Sequence, residues 1–184
     1  MDNLYIKKVL KGDIGAFTYF VSNYKQFAIS LSYSILKNEY LAEEVVQESF
    51  IKAYDKLSTF NHKSSFKTWF GRIIINESLK NITTKRNLQS VDETSDLEIE
   101  EVEDAMNSII KSERRHYISH VFEQLSPEES LILELYYLKE FSVKEISAMT
   151  NWSPSKVKML NLRGRKSFYI KLHRILKSEI KKIL

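Results

Sequence analysis

The chain has 184 residues, enough for one domain or two small ones with a real core. Hydrophobic residues make up 43% and charged residues 28%, which excludes wholesale disorder. Four glycines and two prolines are too few for the turns of a β-sandwich or barrel, and the absence of cysteine excludes disulfides, thiolate metal sites and cysteine nucleophiles.

Charge falls into three blocks. Residues 1–90 hold 13 Lys and Arg against 8 Asp and Glu, residues 91–104 hold 8 acids and no base, and residues 105–184 hold 15 bases against 8 acids. Two basic bodies suit a polyanion partner, and the acidic strap between them suits either a solvated linker or a polyanion mimic. The first residues are charged at once, and no apolar run approaches the roughly 20 residues that cross a bilayer, so a cytoplasmic protein is expected.

Along the chain, residues 3–37 read as two helices broken near Lys11-Gly12-Asp13, with Phe17, Phe20, Val21, Tyr24, Phe27, Ala28 and Leu31 at helical spacing. Residues 41–57 form the clearest amphipathic helix. Val46, Phe50, Ala53 and Leu57 share its inward face, and Glu44, Gln47, Glu48, Ile51 and Asp55 make an acidic outer face with one apolar residue in it. Ser58–Ser65 is a polar loop, and a helix follows from Phe66 to about Lys80. After the strap, helix resumes near Glu101 and runs to Leu125. Ser126-Pro127-Glu128-Glu129 is a capping box with proline at the first helical position, opening a helix through Leu138. Ser142-Val143-Lys144-Glu145 is a second capping box, for a helix of about two turns to Met149. A turn, Thr150-Asn151-Trp152, leads to Ser153-Pro154 and a long last helix. The fold class is all-α.

A short capped helix, a three-residue turn and a capped basic helix are the layout of a helix-turn-helix. On the last helix Val157, Leu160, Gly164 and Phe168 face inward. Ser155, Lys156, Met159, Leu162, Arg163 and Lys166 face outward, with Lys158 and Arg165 on the flanks. Residues 151–184 hold ten bases against the single acid Glu179, and the outward Met159 and Leu162 need an apolar partner such as thymine methyls or a neighbouring domain. A second cluster, residues 60–86, interleaves Phe60, Phe66, Trp69 and Phe70 with Lys63, Lys67, Arg72, Lys80, Lys85 and Arg86. That pattern fits stacking of unpaired nucleotides, and equally an aromatic core with solvated bases. His116 and His120 with Glu113 make one Glu-x-x-His unit, but carboxylate di-metal sites need two, so no metal site is expected. Catalytic residues and cofactors are not expected either: there is no Gly-rich phosphate loop, nucleophile elbow or triad.

With these residues in view the chain resembles the extracytoplasmic-function (ECF) sigma factors of bacterial RNA polymerase, within the sigma-70 family. Ala42-Glu43-Glu44-Val45-Val46-Gln47-Glu48-Ser49-Phe50-Ile51-Lys52-Ala53-Tyr54 is similar to the segment that docks on the polymerase clamp. Phe66-Lys67-Thr68-Trp69-Phe70 and Arg72-Ile73-Ile74-Ile75-Asn76 are similar to the stretch that opens and reads the −10 element. Leu125-Ser126-Pro127, Phe141 to Ile146, and Ser153 with Val157-Lys158 are similar to region 4, which reads the −35 element. The chain departs from the family at Lys156 (commonly Thr), Leu160 (commonly Arg), Gly164 (commonly Ala) and Ile75 (often charged).

The resemblance implies a region 2-like domain at 1–88, an acidic linker at 89–104 and a region 4-like helix-turn-helix domain at 105–184. It implies core RNA polymerase and promoter DNA as partners and, for many members, an anti-sigma factor anchored in the membrane. Polymerase binding is expected at Glu44, Gln47, Glu48 and Ile51. Contacts at the −10 element are expected from Phe60, Asn61, Lys63, Arg72, Asn76 and Lys80, with a flipped base near the loop Phe60–Ser65. Contacts at the −35 element are expected from Ser155, Lys156, Lys158, Met159, Arg163 and Lys166. The linker is expected either to mimic nascent RNA or simply to tether. Two other classes remain: a stand-alone helix-turn-helix regulator, which has no need of the acidic face on helix 41–57, and an all-α enzyme, which would need a catalytic cluster.

Overall fold

A computed structural model describes residues 1–85 and 105–183, with side chains for 1–83 and 114–177. The expected linker 89–104 and the expected helix start near Glu101 lie outside the described residues. The described residues form eight α-helices and no strand. The helices are α1 (Asp2–Leu10), α2 (Thr18–Leu36), α3 (Glu39–Asp55), α4 (Phe66–Lys85), α5 (Ala105–Gln124), α6 (Pro127–Leu133), α7 (Val143–Thr150) and α8 (Pro154–Ile183).

The break between α1 and α2 is built by Gly12, whose φ of 98° suits only a residue without Cβ, and by Asp13, whose side chain accepts the Ala16 N–H at 3.1 Å. α2, α3 and α4 then pack as a bundle around Phe20, Leu31, Phe50, Phe66, Phe70 and Ile74, all buried. The inward residues expected on α3 are buried as read: Val46 4%, Phe50 8%, Ala53 0% and, just past its end, Leu57 1% exposed. α1 is tied onto this bundle by Asp2, whose carboxylate accepts hydrogen bonds from Tyr19 (3.0 Å) and Tyr24 (2.7 Å). Burial, with the Asp2 carboxylate beside it, pushes the Tyr24 phenol well above its ordinary value.

Both capping boxes form. Ser126 and Ser142 each accept the N–H of the glutamate three residues on, and each glutamate reaches back to the serine N–H. Asn151, left-handed at φ 58°, closes α7, and Ser153 accepts the Lys156 N–H at 3.2 Å to start α8. The helix expected through Leu138 differs: α6 ends at Leu133 and residues 134–138 make a single π-helical turn. The wider turn keeps Glu134 and Leu135 inside while Tyr136, Tyr137 and Leu138 stand exposed.

Two bodies were expected, held by a linker; the structure joins them directly. α2 lies against α6, and α4 against α7. At this seam Phe27 meets Phe141 with ring centroids 6.1 Å apart, and the Lys67 ammonium sits over both rings at 5.0 and 5.2 Å. Ser30 donates to the buried Glu134, and Lys37, left-handed at the end of α2, donates to the Phe122 carbonyl (2.8 Å) and to Ser130 Oγ (2.5 Å). No feature of the sequence pattern announces these contacts: Phe27, Ser30, Lys67 and Ser130 are ordinary members of their helices, Lys37 ends α2, and Phe141 lies in the loop before α7.

Burial pulls the Lys37 amine down to about 8, although Glu123 and Glu134, the carboxylates facing it, pull the other way. The folded chain therefore binds fewer protons here than the unfolded chain, whose lysine titrates near 10.5. Folded stability gains from this group as pH rises from about 8 towards 10.5, and the gain is absent below 8. Thermal melts between pH 7.5 and 9.5 should show a positive contribution in the parent that disappears in Lys37→Met; equal slopes would show that Lys37 stays solvated.

Candidate nucleic-acid interface

Three exposed surfaces emerge. The first is the outer face of α3, where Glu44, Gln47, Glu48 and Ile51 are all exposed, Ile51 at 63%. Val45, Val46, Ser49 and Phe50 bury the opposite side, so helical period alone separates the two faces. Glu48 is only loosely held by Lys52 at 3.9 Å, because Lys52 points to Glu77 on α4 at 2.5 Å. An exposed isoleucine ringed by carboxylates makes a contact surface for a partner with an apolar spot among cations.

The second surface joins the loop before α4 to the outer face of that helix. Asn61, Lys63, Arg72, Asn76 and Lys80 are exposed, with the last three recurring every four residues along α4. Phe60 is 8% exposed and lies in an aromatic cluster with His62 (4.6 Å), Trp69 (5.3 Å) and Phe66 (6.1 Å). Phe66 and Phe70 are core, as the aromatic-core alternative held, and Trp69 is half-buried. Loop and α1 together enclose a cleft of about 370 Å³ lined by Asp2, Asn3, Phe60, His62, Ser64 and Ser65 among others. His62 stands at φ 57°, a conformation that costs a β-carbon roughly 1–2 kcal/mol and tends to persist where the surroundings enforce it. Neither the share of α1 in this cleft nor the backbone of His62 was legible in sequence; a histidine between two polar loop residues carries no such signal.

The third surface is α8. Val157 and Leu160 are fully buried and Gly164 is buried against α6, where an added Cβ would come within 3.3 Å of Leu133 Cγ and 3.4 Å of the Glu129 carbonyl. The departure at Leu160 is thus a core position. Ser155, Lys158, Met159, Arg163 and Lys166 are exposed, as are Leu162 and Arg165. Lys156 is half-buried: its ammonium pairs with Glu128 at 2.9 Å and sits over the Trp152 ring at 4.7 Å.

Glu129 organises this surface. Its carboxylate accepts from Ser126 N–H (3.2 Å) and Oγ (2.9 Å), from Ser167 Oγ (2.9 Å) and from Arg163 Nε (3.0 Å). Burial would raise its pKa, but these hydrogen bonds outweigh burial and hold it below the ordinary carboxylate range. The bond uses Arg163 Nε on a side chain 56% exposed, so the terminal guanidinium nitrogens remain for a two-point contact with a base edge or phosphate. In the sequence Glu129 shows only as a capping residue; its reach to α8, some 34 residues on, does not.

His116 and His120 stack on the exposed side of α5 with ring centroids 6.4 Å apart, and His120 pairs with Glu123 at 3.4 Å. The Glu113 side chain lies outside the described residues. Among the described residues no helix is long and apolar enough to cross a membrane.

A helical bundle carrying an aromatic-lined cleft beside a basic helix face, packed against a capped helix-turn-helix with a basic outer face, has the two-part layout of a nucleic-acid-binding protein. Known proteins of this class match it in sequence and in fold. Residues 20–87 match the sigma-70 region 2 family, and residues 115–168 match sigma-70 region 4. Over 171 residues the chain is 30% identical to the ECF RNA polymerase sigma factor SigW of Bacillus subtilis, covering 88% of this chain and 91% of that one. It is 27% identical over 175 residues to the ECF RNA polymerase sigma-E factor of Salmonella typhimurium, covering 90% and 91%. Among solved structures it is similar to CnrH in complex with the cytosolic domain of CnrY (TM-score 0.62, 18% identity, 96% and 97% covered). It is also similar to the sigma factor RpoE in complex with the anti-sigma factor NepR from Bartonella quintana (TM-score 0.68, 17% identity, 85% and 96% covered). The chain belongs to the ECF sigma factor family, and it is an alternative sigma factor that directs RNA polymerase to promoters.

Proposed function

We propose that the three surfaces divide the work of initiation. Residues 1–88 act as region 2, residues 89–104 as the linker and residues 105–184 as region 4. Core polymerase docks on Glu44, Gln47, Glu48 and Ile51. Asn61, Lys63, Arg72, Asn76 and Lys80 hold the opened −10 strand, and a flipped base enters the cleft beside Phe60 and His62, where binding contacts offset the few kcal/mol of extrusion. Lys156, Met159 and Arg163 lie nearest base edges at the −35 element, Ser155 contacts the same element, and Lys158 and Lys166 mostly bind backbone phosphates. The polymerase carries the chemistry, and this chain contributes binding alone, in the cytoplasm. The likeness to RpoE, solved with the anti-sigma factor NepR, supports a partner of that class for this chain.

One observation carries the reading: α3, α4 and α8 each bury a mostly apolar face and expose a face with a dominant charge, acidic around Ile51 on α3 and basic on α4 and α8. A stand-alone regulator has no use for the first.

Gln47→Ala with Glu48→Lys should weaken core polymerase binding at least tenfold without changing the melting temperature, since both side chains are exposed; unchanged affinity in a competition assay would reject the docking face. Asn76→Ala should reduce permanganate reactivity of the −10 region more than closed-complex formation. On α8, the full chain bound to −35 duplexes across a salt series separates two roles. Lys166→Ala should flatten the salt slope by about one for every sequence, whereas Arg163→Ala should relax preference at one base pair by about 1–3 kcal/mol. Uniform weakening by Arg163→Ala would move it to the backbone set.

A further inference from the structure

Two adjacent glutamates in the first turn of α6 each hold one cation of α8. Glu128 pairs with Lys156 at 2.9 Å, and Glu129 with Arg163 at 3.0 Å. These are the two cations assigned to base edges, whereas Lys158 and Lys166, assigned mostly to phosphates, have no carboxylate partner among the described residues. Glu129 is nearly buried and closes the α6 cap, so its grip on Arg163 belongs to the fold. Glu128 is different: it takes no part in the cap, and its side chain is 41% exposed.

Lys156 is held at both ends. Its backbone N–H bonds to Ser153 Oγ at 3.2 Å, and its ammonium lies against Glu128 and over the Trp152 ring, 4.7 Å from the centroid. It occupies the first turn of α8, the part of a recognition helix that meets base edges. It is also one of the chain's departures from its family, and a threonine there could not make this ion pair.

A solvated lysine is a mobile point charge that suits a phosphate in any sequence. A lysine pinned against a carboxylate does not. The carboxylate repels the DNA backbone, and a cation already paired adds little to the counterion release that drives nonspecific binding. The ammonium has three N–H donors and Glu128 takes one, so donors remain for acceptors such as guanine O6 and N7.

We propose that Glu128 is a positioning residue for −35 recognition, which withholds Lys156 from phosphates and directs its ammonium to a base edge, guanine being the expected base. This rests on the assignment of α8 to the −35 element given above.

The test binds the full-length chain to −35 duplexes that it selects from random DNA, and to every single-base-pair variant of them, across a salt series. Lys156→Ala should lose about fivefold or more in preference at one base pair and leave the salt slope within about half a unit of the parent's. Glu128→Gln should lose preference at that same pair, yet steepen the slope by about one and tighten binding to scrambled duplex, because the released lysine turns to phosphate. In the double variant the preference should fall no further than in Lys156→Ala, and the slope should return to the parent's. That cycle separates a guided lysine from the simple removal of a negative charge near DNA. A slope flattened by about one in Lys156→Ala with preference intact would make Lys156 a phosphate ligand and overturn the proposal. Unchanged preference in Glu128→Gln would overturn it too. A parent chain that selects no sequence from random DNA would overturn the −35 assignment itself, and the proposal with it.

Discussion

A single carboxylate, that of Glu129, holds the second body in working order. It closes the N-terminal cap of α6 through Ser126 and reaches across to Ser167 and Arg163 on α8, so the start of one helix and the middle of another are set by the same two oxygens. Hydrogen bonds to a charged acceptor contribute about 1.5–3 kcal/mol each, against about 1 for neutral pairs, and here they converge on a nearly buried group. Gly164 completes the arrangement by letting α8 press against Leu133 and the Glu129 carbonyl. The angle at which α8 presents its basic face is therefore a product of a helix cap.

The first body solves a different problem. It has to bury enough apolar surface for three helices while leaving an acidic outer face on α3 and a basic one on α4 exposed. Aromatic residues make this possible: Phe20, Phe66 and Phe70 fill the centre with few side chains, at centroid separations of 4.3 and 5.8 Å along the cluster. Outer positions on α3 and α4 are thereby released from any packing duty. The pairing of Lys52 with Glu77 ties the two helices together and draws only weakly, at 3.9 Å, on the exposed Glu48.

Much of this architecture was legible in the sequence because it depends on local rules. Helical period sorted Val46 from Gln47 and Val157 from Met159, and the two Ser-x-x-Glu boxes marked where α6 and α7 begin. The illegible part depends on residues distant in the chain. Gly71 of α4 looks like a weak point in a helix until the Met149 side chain of α7 is placed against it. Lys67 reads as one more solvated base until Phe27 and Phe141 close around it. Phe60, which the sequence leaves open between nucleotide stacking and core, is 8% exposed among His62, Phe66 and Trp69 and also lines the cleft. Arg163 faces outward as read, but its partner Glu129 makes its orientation a property of the fold.

The π-helical turn at residues 134–138 has a consequence for how such a chain tolerates change. A π-turn carries one residue more than the α-helical path requires, and the Lys139 N–H reaching back to the Glu134 carbonyl at 2.9 Å records that surplus. Each α-helical residue advances the helix by about 100°, so removing one here would restore a regular helix and rotate the chain downstream by about that angle. A rotation of that size would carry the exposed Tyr136-Tyr137-Leu138 run off its present face, towards the side on which Glu134 and Leu135 are buried. Substitutions in this turn alter one side chain at a time, but a single-codon deletion alters the phase of all that remains up to the loop before α7, so descent should permit point changes here more readily than losses of length.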